Sequence, residues 1–94
     1  MALRPENNDT IRIDKWLWRA RFCKTRALAQ TRASGGHIRL NGRRVEKPGT
    51  SIRAGDIMTL SARGHVVVLR VLALGERRGP AAEAQALYEI IEDA

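Results

Sequence analysis

A single cysteine, Cys23, leaves this chain without an internal disulfide or a cysteine-based metal site. Its two histidines, His37 and His65, stand apart, with no carboxylate or cysteine at ligand spacing, so neither a metal nor a cofactor is expected. Asp14 and Asp56 read as a helix cap and a turn residue, not as a catalytic carboxylate pair. Cys23 has no histidine paired with it in sequence and reads as a small packed hydrophobe. No catalytic residue is assigned, and no small-molecule substrate is expected. No run of about 18 apolar residues exists, so no segment reads as a membrane span. Residues 1–10 lack an apolar stretch and read as a flexible polar arm, not as a secretory signal. The expected setting is the cytoplasm.

Acidic residues are scarce just where basic ones are dense. Between Arg12 and Arg53 twelve Lys or Arg face only Asp14 and Glu46, a local balance of +10. The rest of the 94-residue chain has a balance of −3, and the whole carries +7. Like charge works against a compact state through self-repulsion, so such a concentration points to a polyanionic partner. Nucleic acid comes first and an anionic membrane second.

The length fits one domain. Asp14 is expected to cap a first helix, on which Ile13, Trp16, Leu17 and Ala20 recur at core-facing spacing. Lys15 and Arg19 lie four apart on the other side, a repulsive pair that makes sense beneath a phosphate. Thr25 is expected to cap a second helix over 26–34, with Leu28 and alanines as its packing side, ended by Gly35-Gly36. Two helices with a tight turn also fit a helix-turn-helix. After the glycines, His37 to Leu40 alternates, and Asn41-Gly42 is a strong two-residue hairpin signal with Arg43-Arg44-Val45 returning. Turns at Lys47-Pro48-Gly49 and Ala54-Gly55-Asp56 precede strands at 57–60 and 65–74. Helix, helix, then four or five short strands is an α+β order, and argues against the helix-turn-helix. Finally, Ala84, Leu87, Tyr88 and Ile91 fall at i, i+3, i+4 and i+7, which predicts a C-terminal helix begun near Pro80.

Trp18 and Phe22 are expected to form an i,i+4 aromatic pair away from the buried face. One reading is a stacking platform for unpaired bases. The other, preferred, is a dock for the C-terminal stripe, which otherwise has no partner.

Several separated elements now combine: Arg12-x-Asp14-Lys15, Thr25-Arg26-x-x-Ala29, Gly35-Gly36-His37-Ile38-x-x-Asn41-Gly42, Lys47-Pro48 and Gly55-Asp56. Together they resemble the RNA-binding domain named for ribosomal protein S-four, the alpha-L motif, over about residues 12–61. The segment from Asp14 to Ala29, with Arg77-Arg78-Gly79-Pro80 and Ala86-Leu87-Tyr88-Glu89, resembles its small heat-shock group. The resemblance implies an alpha-L fold: two N-terminal helices on a small curved, mainly antiparallel sheet, plus the C-terminal helix. With the reading of the chain above, this gives an expected arm over 1–10, an RNA-binding domain over 11–75, and a linker and docked helix over 76–94. The resemblance also implies a factor that binds ribosomal RNA, and tRNA, on large ribosomal subunits carrying a stalled nascent chain.

By that resemblance Lys15, Arg26, Asn41 and Lys47 lie at RNA-facing motif positions, with Arg12, Lys24, Thr25 and Gln30 beside them. Arg19 joins them from the charge pattern, as do His37 at the strand entrance and Arg39, Arg43 and Arg44 on the hairpin. Asn41 and backbone N–H groups near Gly36 are expected to fix register. The chain is expected to act as a monomer, without membrane and without catalysis. A general RNA- or DNA-binding module and an accessory domain of an RNA-modifying system are the alternatives.

Overall fold

The computed structural model describes residues 9–62 and 64–93, Ala62 by its backbone alone. The expected arm therefore lies, up to residue 8, outside the described residues. The elements run β1 (Ile11–Arg12), α1 (Ile13–Arg19), α2 (Arg26–Ser34), β2 (Ile38–Leu40), β3 (Arg43–Arg44), β4 (Ser51–Ile52), β5 (Ile57–Ala62), β6 (His65–Val71), α3 (Ala81–Gln85) and β7 (Tyr88–Asp93). β3-β2-β5-β6-β7 form one antiparallel sheet, and β1 pairs with β4 beside it.

The apolar periodicity of α1 holds: Ile13, Trp16, Leu17 and Ala20 are all buried. On α2 the buried residues are Ala29 and Ala33, small enough for the two helices to approach closely, whereas Leu28 is 47% exposed. Leu28 is thus not part of the packing side. Its backbone N–H is what matters, donating to the Thr25 hydroxyl at 3.0 Å in the expected cap. Against the helices the sheet contributes Ile38, Met58, Leu69 and Val71, with Val45 from the chain after β3 and Ile52 from β4 closing the core.

The hairpin signal is also realised. Asn41 and Gly42 both take positive φ, 52° and 84°, the pair of left-handed residues that a two-residue turn needs to match strand twist. Register then sets a cross-strand row, Arg44–Arg39–Thr59–Val68–Glu92, that spans the five strands. One edge of the sheet is basic and the other, β7, is acidic.

The C-terminal helix is shorter than expected. α3 ends at Gln85, and the chain from Tyr88 pairs with β6 as the fifth strand. Leu87 and Tyr88 still turn inward, but Ile91 is 48% exposed at the irregularity where β7 slips against Val68 and Leu69. Pairing satisfies the backbone groups of β6 that would otherwise form a bare sheet edge, a demand that outweighs the helical spacing. Pro80 precedes α3 as its cap residue and does not lie in its first turn.

The aromatic pair is rearranged too. α1 ends at Arg19 and Arg21 takes φ 65°, so Phe22 leaves the helix before it can lie one turn beyond Trp18. Phe22 instead packs on Trp16 at 5.9 Å between ring centroids and on Tyr88 at 4.7 Å. The C-terminal segment does dock on the first helix region, through Tyr88 and these rings. Trp18 lies separately under the Arg78 guanidinium, 5.6 Å from its ring centroid.

Candidate nucleic-acid interface

The start of α1 is tied down by the loop before β4. Ile13 N–H donates to the Thr50 carbonyl at 2.8 Å and Asp14 N–H to that of Pro48 at 3.3 Å. These bonds satisfy helix-end donors that have no partner inside the helix. They also fix the Lys47–Thr50 turn, itself closed by Thr50 N–H and hydroxyl on the Lys47 carbonyl. Arg12, at the N-cap, lies against Gly49 of that turn. Lys47 is thereby brought to the same end of the molecule as Arg12 and Lys15.

Asp14 is not the cap; it is the second residue of α1, and it is fully buried. Its carboxylate accepts from Arg12 Nε at 3.1 Å and Nη2 at 2.9 Å, and from Arg26 Nη2 at 3.5 Å. One carboxylate thus gathers the guanidinium just before α1 and the one that begins α2, while 52% of the Arg12 and 39% of the Arg26 side-chain surface stays open to solvent. Gln30, one turn after Arg26, is exposed on α2, and Lys24 and Thr25 are exposed just ahead of it.

Burial alone would raise the Asp14 carboxyl, but the Arg12 guanidinium and the charge of Arg26 outweigh it and hold the group below its ordinary 3.8. A carboxyl depressed in the folded state stabilises the fold above its unfolded value and loses that contribution as pH falls through the lowered folded one. Acid unfolding followed by circular dichroism is therefore expected to show a stability loss below about pH 4 that Asp14→Asn lacks. Parallel acid profiles of the two proteins would remove the carboxylate from the account.

The hairpin supplies the second basic group. Arg43 and Arg44 are exposed on β3 and Arg39 on β2, and a groove of about 530 Å³ runs from Arg43 and Arg44 to Lys47 and Thr50. Among the described residues, Lys15, Lys24, Arg32, Arg43, Arg44, Lys47 and Arg53 make no ion pair. Gly36, at φ 81°, has the Arg44 guanidinium so close that a Cβ would collide with it. His37 is exposed next to it.

Two expected contacts have other engagements. The Arg19 guanidinium donates to the carbonyls of Leu74 and Gly75, at 3.4 and 2.5 Å, and clamps the chain after β6 to α1. Arg21 and Arg78 do similar work, bonding the carbonyls of Gly79 and Trp18. The Asn41 amide is used at both ends: Nδ2 donates to Asp56 at 3.1 Å, and Oδ1 accepts from Ile57 N–H at 2.9 Å. It latches the hairpin turn to the start of β5. Arg32, in the last turn of α2, was not singled out from sequence, where a cation at a helix C-terminus is explained by the helix dipole alone.

Residues 11–57 of this small α+β domain match the S4 domain. The chain belongs to the S4 domain family. Within it, the chain is 42% identical to the heat shock protein 15 homolog of Aeromonas salmonicida over 93% of its own length and 65% of that protein's. It is 44% identical to heat shock protein 15 of Escherichia coli strain K12, over 84% of this chain and 59% of the relative. The chain therefore spans about three fifths of the length of these relatives. Among solved structures, the trimeric structure of Vibrio cholerae heat shock protein 15 superposes with a TM-score of 0.80 at 38% identity, over 87% of this chain and 82% of that one.

Proposed function

We propose that this chain is an RNA-binding protein of the heat-shock kind that recognises structured ribosomal RNA and tRNA, in the cytoplasm and without catalysis. Its target in this reading is the large ribosomal subunit that still carries a nascent chain on tRNA. The observation that carries the reading is the concentration of solvent-reaching cations on an S4 domain, Arg12, Lys15, Arg26 and Lys47 near the helix starts and Arg39 and Arg43 on the hairpin. Lys24, Thr25, Gln30, Gly36 and His37 border it; Arg19 and Asn41 are left to the fold. Phosphate contacts set register, and the shape of an A-form helix is what such a face reads, because its deep narrow major groove excludes side chains. A duplex-DNA reader would need a helix presenting several base-reading side chains; at its start, Arg26-Ala27-Leu28-Ala29-Gln30, α2 offers few.

Single-domain phosphate binding is weak, roughly micromolar or poorer at physiological salt. Selectivity for blocked subunits then requires two RNAs to be met together, and effective concentration makes the second contact far less costly than the first. The helix starts and the hairpin are two basic regions on one chain, suited to ribosomal RNA and tRNA side by side. The binding unit in this reading is the single chain; the trimer belongs to the Vibrio cholerae relative. Co-sedimentation with purified large subunits, with and without peptidyl-tRNA at matched salt, is expected to favour the loaded ones. Equal binding to both would reduce the protein to a general RNA binder.

A further inference from the structure

Between the end of α1, the last turn of α2 and strands β2, β5 and β6 lies a cavity of about 250 Å³ that the basic face does not use. Its floor is apolar, with the Phe22 ring beside Leu17, Leu60 and Val67. Its rim is polar, with the Arg32 guanidinium, the imidazoles of His37 and His65, and Ser61. Flat apolar walls with hydrogen-bonding groups on one side suit a heteroaromatic ring, whose faces are apolar and whose edge is polar.

The rim belongs to the basic strip. The His37 ring lies against Gly35, and the Arg44 guanidinium lies over Gly36, so two nitrogen-bearing side chains flank the turn that opens the cavity, with Arg32 on its lining. On the far side His65 is bonded to Asp93 at 2.5 Å, a carboxylate that repels phosphate. The Arg32 and His37 side is thus the one that suits a phosphate.

We propose that this cavity receives one unstacked nucleobase of the bound RNA, stacked on Phe22, with the adjoining phosphate held by Arg32, His37 and Arg44. The proposal rests on the RNA-binding reading above and adds to it a preference for RNA containing an unpaired base. Bases in loops and bulges are the ones available, since they have no pairing energy to lose.

Cys23 lines the cavity, is the only cysteine and is 7% exposed, so its alkylation reports occupancy directly. Burial pushes its thiol up, which makes labelling slow enough to time at alkaline pH. The experiment compares a synthetic RNA stem-loop with a blunt duplex of the same stem, each saturating, in N-ethylmaleimide labelling of Cys23. The stem-loop is expected to slow labelling and to bind about five- to hundredfold more tightly than the duplex, the range of one stacked base. His37→Ala, an exposed position, is expected to narrow that gap. A thiouridine in the loop is expected to cross-link to the peptide containing Phe22 and Cys23. Equal protection by both RNAs, or none with the stem-loop bound, overturns the base site and leaves RNA binding standing. Failure of both RNAs to bind overturns the functional reading beneath it.

Discussion

Replacing Trp16 by alanine is expected to cost the domain about 3–5 kcal/mol, the largest loss available from one side chain here. Trp16 is completely buried, touches Phe22 and Tyr88 through its ring, and donates its indole N–H to the Ala73 carbonyl at 2.9 Å. The substitution removes ring area, leaves a cavity and strands a carbonyl acceptor. Small domains hold only about 5–15 kcal/mol in total, so the variant is expected to melt at least about 12 °C lower. Trp18→Ala is the control. Trp18 is only half-buried, beneath Arg78, and its loss is expected to be clearly smaller. Equal thermal shifts for both would contradict the packing described.

The second large effect is on salt dependence. Each phosphate neutralised by a Lys or Arg adds close to one to the log–log slope of affinity against salt. Replacing Arg39 and Arg43 together, both exposed on the hairpin, is expected to flatten the slope by about two and weaken binding at low salt. Lys15→Ala is expected to flatten it by about one. Arg19→Ala separates charge from position: it removes the same charge but breaks the bonds to Leu74 and Gly75, so stability falls while the slope holds. Filter binding of a ribosomal RNA fragment across a salt series measures all of these. A slope unchanged by the hairpin substitutions but lowered by Arg19→Ala would place the RNA on the other face.

Some local chemistry was legible in the sequence where the partners lie within a few residues. Thr25 capping α2 and Asn41-Gly42 closing the hairpin are such cases, because the groups that settle them are neighbours in the chain. The segment after Ala84 was not. Its spacing suits a helix, but the unpaired edge of β6, about twenty residues earlier, recruits it as a strand, and that demand leaves no mark on the segment itself. Trp18 and Phe22 misled for a related reason: an i,i+4 relation holds only if the helix continues, and it stops at Arg19.

Charge was legible as a sum and not as an assignment. The balance of +10 between Arg12 and Arg53 located the basic half of the chain. It did not separate Arg43 and Lys47, which face solvent, from Arg19 and Arg21, which hold carbonyls of the chain after β6. A guanidinium that binds a carbonyl and one that awaits a phosphate read alike in sequence. Asp14 shows the same limit in reverse. Its place suggested a cap, and only the fold reveals that it draws Arg12 and Arg26 together.

The cross-strand row from Arg44 and Arg39 to Glu92 has a consequence for how a partner is met. With arginines on one edge and Glu89, Glu92 and Asp93 on the other, the sheet turns in the field of a polyanion before it touches it. A molecule arriving acidic edge first is pushed round instead of sticking in a wrong pose. Both edges thus act on the fraction of collisions that succeed, the acids of β7 by disfavouring the wrong approach and the arginines by favouring the right one.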